Sequence, residues 1–248
     1  MHEEPRNAAR GEPWNLLETL VLALAVYLVL LQVSDAVSAG FYFALERLGD
    51  GGDADELWDR LFGLRFSLIT CARALVCAAL IALLIRLRSG PPLAQYLGLR
   101  PVAAATLAKW LAAVLALVVA IDVLRYALGR PIVTAYDREL YQTAHWLPLF
   151  WFALVVAAPV AEEILFRGFL FEGVRASRLG GPGAVAVSAL AWAAIHTQYG
   201  LPGRAIILAL GLLCGWARWR TGSLHTSLAM HVLNNLISAC EIVVFPGG

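Results

Sequence analysis

The chain has few charged side chains and almost no lysine. Only 15% of its 248 residues are Asp, Glu, Lys or Arg, whereas 60% are hydrophobic, and Lys109 is the single lysine. Because so little polar surface cannot cover a water-soluble globule, the composition excludes a soluble protein and indicates a membrane protein. The formal net charge of +1 gives no electrostatic reason to expect a nucleic-acid partner.

Cysteine pairs at metal-binding or redox spacing are also missing. The cysteines lie inside apolar runs without a CxxC motif, which indicates packing residues rather than a disulfide framework or a cysteine zinc site. They are Cys71, Cys77, Cys214 and Cys240.

Long apolar runs dominate the sequence instead. About seven of them approach or exceed the roughly 20 residues that a helix needs to cross a bilayer. None alternates apolar and polar residues as barrel strands do, so we predict an all-α fold, a polytopic membrane bundle of about seven to eight transmembrane helices. The runs are residues 16–33, 61–87, 102–128, 146–174, 183–196, 205–219 and 224–245.

The predicted organisation is one integrated membrane domain. We assign residues 1–15 to an N-terminal cytoplasmic tail, 16–145 to N-terminal transmembrane helices and 146–248 to a catalytic helical core. The positive-inside rule supports this orientation, because the arginine-bearing loop after residue 87 lacks acids and the loop before residue 61 is rich in them. The preference for arginine over lysine is typical of GC-rich bacterial genomes, so we expect a multi-pass protein of a bacterial inner membrane.

Polar side chains occur in three apolar runs of the second half. An ionisable group at mid-bilayer depth costs at least about 2.5 to 3.5 kcal/mol on insertion scales, so such groups generally face a protein interior or a wet cavity and indicate function. With a rise of about 1.5 Å per residue, several of them lie roughly 14 to 20 Å from the inner helix ends and share one layer. The polar residues are Glu162, Glu163, Arg167, His196, His231 and Asn235.

Helical spacing separates the two adjacent glutamates. Glu163 and Arg167 are spaced i, i+4, which predicts a buried ion pair on one helix face. Glu162 points about 100° away and has no partner on its own helix, so it is available for chemistry. His231 and Asn235 are also spaced i, i+4 and can present donors to a polarised carbonyl oxygen.

The predicted reaction is attack by water on an amide or ester, with the peptide bond of a membrane-anchored protein as the expected substrate. Two other classes stay open: a proton-coupled transporter that uses the same charges as a relay, and a non-catalytic scaffold or bacteriocin-immunity protein. Arg73, near the middle of its run, needs either a carboxylate of the bundle or an acidic group of a substrate.

The motifs "EEILFR", "WAAIH" and "HVLNN" resemble, in this order, the EExxxR, FxxxH and HxxxN motifs of the CPBP family of intramembrane proteases, which includes CAAX prenyl endopeptidases and Abi-type proteins. The resemblance covers about residues 146 to 240. It implies that Glu162 and His196 activate water, that His231 and Asn235 stabilise the oxyanion, and that Glu163 and Arg167 support them.

Two positions depart from the family pattern, and both concern the fit of the substrate. Trp192 replaces the usual Phe, and His225 stands where Trp is common. For cofactors we expect none. The alternative is zinc bound by Glu162, His196 and His231, since a Glu and two His form a recognised catalytic ligand set. We favour the metal-free mechanism because Asn235 is a poor zinc ligand and a good oxyanion donor.

Overall fold

The computed structural model describes residues 14–48, 54–88 and 90–245. These residues form helices joined by turns and loops, with no strand among them, so the predicted all-α bundle is confirmed. Nearly all of the predicted N-terminal tail, residues 1–15, lies outside the described ranges, as do Asp50 and Asp53 of the acidic loop.

The described helices follow one another along the chain with short connections. In order they are α1 (Leu16–Leu48), α2 (Ala54–Arg60), α3 (Phe62–Leu87), α4 (Leu93–Leu97), α5 (Ala104–Ala127), α6 (Ala135–Gln142), α7 (Leu147–Arg175), α8 (Gly180–Ile195), α9 (Leu201–Thr221) and α10 (Leu224–Val244).

Within the described part of the chain, 6 helices are long and apolar enough to cross a membrane: α1, α3, α5, α7, α9 and α10. Helix α8 has 16 residues. At about 1.5 Å per residue it is roughly 24 Å long, which is shorter than the hydrocarbon core of about 30 Å. The predicted run 183–196 is therefore a short helix, and it packs against α7 and α9.

Helix α1 continues well beyond the predicted end of its run at residue 33 and reaches Leu48. The polar Ser34 does not interrupt it, because the Ser34 hydroxyl donates a hydrogen bond to the carbonyl of Leu30 at 3.0 Å. A serine that bonds its own helix in this way is satisfied without water.

Helix α7 changes its winding at two places. The first is a π-helical segment, Ala153–Ala157, after which the Ala158 N–H donates to the carbonyl of Ala153. The Leu154 carbonyl thus loses its usual donor, and the residue five positions on is Pro159, which has no N–H. The Asn235 amide of α10 takes this free carbonyl at 2.9 Å.

The second π-helical segment is Glu163–Leu170, and it frees another carbonyl. The Phe171 N–H donates to the carbonyls of Gly168 and Phe166, so it is not available to Arg167. Arg218 of α9 replaces the missing backbone donor, since its Nε donates to the Arg167 carbonyl at 3.0 Å. Each π segment therefore ties α7 to a later helix through a side chain.

Small residues let α9 approach α8 closely. A Cβ atom on Gly211 would lie 3.0 Å from the Trp192 ring and 3.2 Å from Ala189. Gly215, one turn further, lies against Val185. This GxxxG spacing is a common means of close helix packing in membranes, and here it presses the backbone of α9 against the indole of Trp192.

Candidate active site

A cavity of about 550 Å³ opens between the helices and brings the predicted residues together. Its walls come from both halves of the chain. Glu162, His196, His231 and Asn235 all line it, each from the helix or helix end on which the sequence placed it. The buried pair Glu163 and Arg167 does not line the cavity and lies behind its wall.

Glu162 reaches the cavity with its carboxylate held on two sides. Its Oε2 accepts a hydrogen bond from the Trp192 indole at 2.5 Å and lies 3.8 Å from His231 Nε2. The Glu162 side chain keeps 24% of its exposure, whereas that of Glu163 has 0%. The two adjacent glutamates therefore occupy different environments, as their helical phase predicts.

Glu163 is the acceptor of a buried charge network. Its Oε1 lies 2.9 Å from Arg167 Nη1, which confirms the predicted ion pair, and 3.1 Å from His231 Nδ1. A carboxylate without its proton only accepts hydrogen bonds, so the His231 proton at this contact resides on Nδ1. The adjacent guanidinium charge and the His231 hydrogen bond offset part of the desolvation cost of this buried carboxylate, and the same hydrogen bond fixes the plane of the His231 ring.

His196 follows the last residue of α8 and turns its ring by a local contact. Its Nδ1 lies 2.7 Å from the backbone carbonyl of Trp192. A carbonyl only accepts, so Nδ1 carries a proton and Nε2 of the neutral ring keeps a lone pair. This tautomer suits a group that accepts a proton or a hydrogen bond from water.

Asn235 has a structural partner that its sequence context does not indicate. One of its two amide hydrogens is used by the Leu154 carbonyl, and its Oδ1 accepts from Asn234 at 3.1 Å. A side-chain amide has two N–H donors. The second amide hydrogen of Asn235 is available to an oxyanion. The hydrogen bond that the first one makes to Leu154 fixes the orientation of the amide.

Trp192 is a candidate site residue that sequence reasoning underrated. Besides its bond to Glu162, its ring lies 5.0 Å from the His231 ring and 5.2 Å from the His196 ring, edge to face in both cases. The Arg167 guanidinium lies 4.4 Å from its centroid. The i, i+4 spacing of Trp192 and His196 placed both on one face and was a signal of this role.

The loop that carries His196 is held from the other half of the chain. Tyr199 stacks on His196 with ring centroids 6.4 Å apart, and its hydroxyl donates to Asp137 of α6 at 2.7 Å. Burial, together with the charge of Asp137, raises the pKa of Tyr199 well above its usual range. The phenol therefore keeps its proton and remains a donor at physiological pH.

The alternative zinc site concerns Glu162, His196 and His231. In the described ranges, no group of three or more His, Cys, Asp or Glu side chains lies in an arrangement that could hold a metal ion. Both histidines have Nδ1 engaged and Nε2 available, which is also how zinc-binding histidines are oriented. Chelation and metal analysis therefore decide between the two mechanisms.

Comparison with known proteins gives one match. Residues 144–237 match the family described as type II CAAX prenyl endopeptidase Rce1-like. No curated protein and no solved structure matches the chain. The matched region contains every residue of the three motifs and all of the predicted site. Over residues 144–237 this match agrees with the resemblance to CAAX-type intramembrane proteases that the motifs indicated, and of the function classes considered it supports a protease.

Proposed function

We propose that this protein is a metal-free intramembrane endopeptidase that uses Glu162 to activate water. One observation carries the proposal: the Glu162 carboxylate is the exposed member of an otherwise buried polar network, and it faces a cavity that both histidines also line. A fixed carboxylate beside two oriented imidazoles is the arrangement that general acid–base hydrolysis requires.

In the proposed first step, a water molecule in the cavity donates one hydrogen bond to Glu162 and another to His196 Nε2. Glu162 takes a proton while the water oxygen forms a bond to the carbonyl carbon of the substrate. The Trp192 bond to Glu162 Oε2 fixes the carboxylate, so its lone pairs are directed before the substrate binds. Positioning of this kind removes much of the entropic cost of the reaction.

The negative charge that develops on the carbonyl oxygen needs donors. Protonated His231 supplies Nε2–H, and Asn235 supplies its second amide hydrogen. Glu163 accepts a hydrogen bond from His231 Nδ1–H and so stabilises the protonated ring. When the tetrahedral intermediate collapses, the C–N bond breaks and Glu162 returns its proton to the leaving amine, which restores the starting carboxylate.

The substrate we propose is a membrane-anchored protein, lipidated or held by a helix, cleaved close to its anchor. The matched family description implies a prenylated protein, and a cavity between membrane-spanning helices suits a chain that already lies in the bilayer. We place the protein in a bacterial inner membrane, because its arginines far outnumber its single lysine.

The decisive experiment uses purified full-length protein in liposomes with a farnesylated reporter peptide. Glu162→Gln keeps the size of the side chain and removes the base, so we expect cleavage to fall by about 100-fold or more. Glu46→Gln makes the same change on an exposed residue of α1 and should leave the rate unchanged. Equal rates for the two variants would refute the proposal, and proton flux without cleavage would support the transporter class instead.

In cells, the substrate can be sought by comparing all membrane proteins at once. Terminal peptides of membrane proteins should differ between a strain with wild-type protein and one with Glu162→Gln. The expected result is a small set of new carboxyl termini that need an intact Glu162.

A further inference from the structure

A second cavity, of about 890 Å³, opens where α4 meets the ends of α7 and α9. Within the described ranges, no residue lines both this cavity and the one at Glu162. The charged side chains that line it there are Arg100, Arg175, Arg218 and Glu172. Arg100 belongs to the arginine-bearing loop after residue 87, so the positive-inside rule places this cavity at the cytoplasmic membrane surface.

One carboxylate serves all three guanidiniums of this cavity. Glu172 accepts hydrogen bonds from Arg175 Nε at 2.9 Å and from Arg175 Nη2 at 2.6 Å. Its Oε2 lies 4.0 Å from Arg218 Nη2, and Arg100 hydrogen-bonds to backbone carbonyls instead of to a carboxylate. Arg100 and Arg175 also act electrostatically on Arg218. The described lining of the cavity therefore keeps an excess of two positive charges.

Arg218 is the buried member of this group. Its side chain is 4% exposed, and it donates from Nε to the Arg167 carbonyl at 3.0 Å and from Nη2 to the Leu97 carbonyl at 3.3 Å. Carbonyl groups are neutral, so these bonds orient the guanidinium without balancing its charge. A guanidinium has five N–H donors, and those on Nη1 of Arg218 meet no acceptor among the described residues. A buried charge that is only partly balanced favours an anion beside it.

Arg100 is held in the same way. Its Nε donates to the Gly222 carbonyl at 3.0 Å and its Nη2 to the Thr221 carbonyl at 2.9 Å. Two glycines make room for the guanidiniums, because a Cβ atom on Gly98 would overlap Arg218 and one on Gly222 would overlap Arg100. Both glycines have a left-handed φ, 69° and 62°, which strains other residues. Both guanidiniums are thus in place before a ligand binds, which lowers the entropic cost of binding.

Basic side chains at the inner ends of helices are expected from the positive-inside rule alone. Arg178 and Arg220 are of this ordinary kind, since both are exposed and neither lines the cavity. The cavity differs because a buried guanidinium and two others surround a single space. Arginine binds phosphate oxygens through pairs of N–H donors, and basic pockets between helices on this side of a membrane suit anionic lipid headgroups.

We propose that this cavity binds a phosphate group, and that an anionic phospholipid of the cytoplasmic leaflet supplies it. The same chemistry suits a free phosphate ion. The location favours the lipid, because Trp219 lines the cavity and tryptophan is enriched at the depth of lipid headgroups. The bound phosphate balances the excess charge and joins α4, α7 and α9 at their inner ends.

The test measures thermal unfolding of the purified full chain in a neutral detergent while lipid is added. A ligand that binds only the folded chain raises Tm, and the rise at each concentration gives Kd. We expect an excess of dioctanoyl phosphatidylglycerol to raise Tm by about 4 °C or more. Dioctanoyl phosphatidylcholine should leave Tm unchanged, because its choline cation cancels the phosphate charge. Equal shifts by the two lipids would overturn the proposal.

Three variants locate the binding within the cavity. Arg175→Gln should weaken phosphatidylglycerol binding by about 10-fold, because one charge-assisted contact is lost. Glu172→Gln should strengthen it by about fivefold, because a repulsive carboxylate is removed, and a misfolded variant cannot produce such a gain. Arg178→Gln removes an exposed positive charge beyond the end of α7 and should keep the wild-type Kd.

Equal losses in Arg175→Gln and Arg178→Gln would mean that the lipid responds only to the general charge of this surface, and the proposal would fail. A Glu172→Gln variant without any gain would lead to the same conclusion.

Inorganic phosphate separates the two sources of the ligand. A rise in Tm with phosphatidylglycerol, at concentrations where inorganic phosphate has no effect, supports the lipid. A rise with inorganic phosphate alone that depends on Arg175 supports the phosphate site and overturns its assignment to a lipid. None of these outcomes bears on hydrolysis, because Glu162 lies in the other cavity.

Discussion

The Trp192 indole donates a hydrogen bond to Glu162, and the backbone carbonyl of the same tryptophan accepts the Nδ1 proton of His196. One residue therefore positions both groups that are proposed to activate water. Its ring also lies against His231 and under the Arg167 guanidinium. The replacement of a family phenylalanine by this tryptophan adds a donor that a phenyl ring lacks.

Trp192→Phe should reduce kcat by about 10- to 100-fold with a smaller effect on KM. The phenyl ring preserves the packing and removes one hydrogen bond to a charged group, which contributes about 1.5 to 3 kcal/mol. Trp216→Phe, on an exposed tryptophan of α9, is the control. An unchanged kcat would show that the indole only fills space.

Glu163→Ala should destabilise the protein by about 3 to 5 kcal/mol, because it leaves the Arg167 charge buried without a partner. Arg167 and Glu163 both have 0% exposure, so water cannot replace the lost contact. Unfolding of the purified protein in detergent, followed as a function of denaturant, measures the loss. The double variant Glu163→Leu with Arg167→Met removes both charges and should be markedly more stable than the single variant. Equal stability of the two would contradict this account.

Asn235→Ala should lower both stability and activity. It leaves the Leu154 carbonyl without a donor, at a cost of about 1 to 3 kcal/mol, and it removes one proposed oxyanion donor. Arg218→Met, which frees the Arg167 carbonyl in the same way, contacts no cavity residue of the mechanism and serves as the comparison. We expect it to lose stability with a smaller effect on kcat. A drop in kcat for Asn235→Ala at unchanged stability would mean that the Leu154 contact contributes nothing.

Chelators should leave the cleavage rate within about twofold of the untreated enzyme under the metal-free mechanism. The assay compares 1,10-phenanthroline with its non-chelating 1,7-isomer, and elemental analysis of the purified protein measures bound zinc. Inhibition by the chelator alone that added Zn²⁺ reverses would establish the alternative, with Glu162, His196 and His231 as its ligands.

The sequence was sufficient for the parts of the site that follow from helix periodicity. The Glu163–Arg167 pair depends only on an i, i+4 spacing, and the split between Glu162 and Glu163 depends on a rotation of about 100° per residue. The similar estimated depths of His196 and His231 in the membrane were enough to predict that both histidines line one cavity. The site roles remain proposals, and the variants above test them.

Other features depend on tertiary contacts and were out of reach. The π segments of α7 exist because donors on later helices, Asn235 and Arg218, are present to take the carbonyls they free. Pro159 was a hint for the first segment, but Asn235, the donor to the freed Leu154 carbonyl, lies 81 positions after Leu154. Helix packing sets the rotation of α3 about its axis, which places Arg73 along the cavity. The hydropathy pattern of α3 does not predict this rotation.

The side chains that bridge the freed carbonyls have a consequence for how a substrate enters. Helices α7, α9 and α10 are cross-linked by Asn235 and Arg218, and α8 is pressed against α9 at Gly211. Sliding α7 against α9 or α10 would leave a buried carbonyl without its donor, so these three helices are tied to one another. We therefore expect a lipid-borne chain to enter between the amino-terminal helices and these tied helices, and not between the tied helices themselves. Next to Glu162, α3 is joined to α7 by the weak thiol contact from Cys77, whereas other polar ties of the amino-terminal half, made by Arg100 and the Leu97 carbonyl, lie near the turn between α9 and α10.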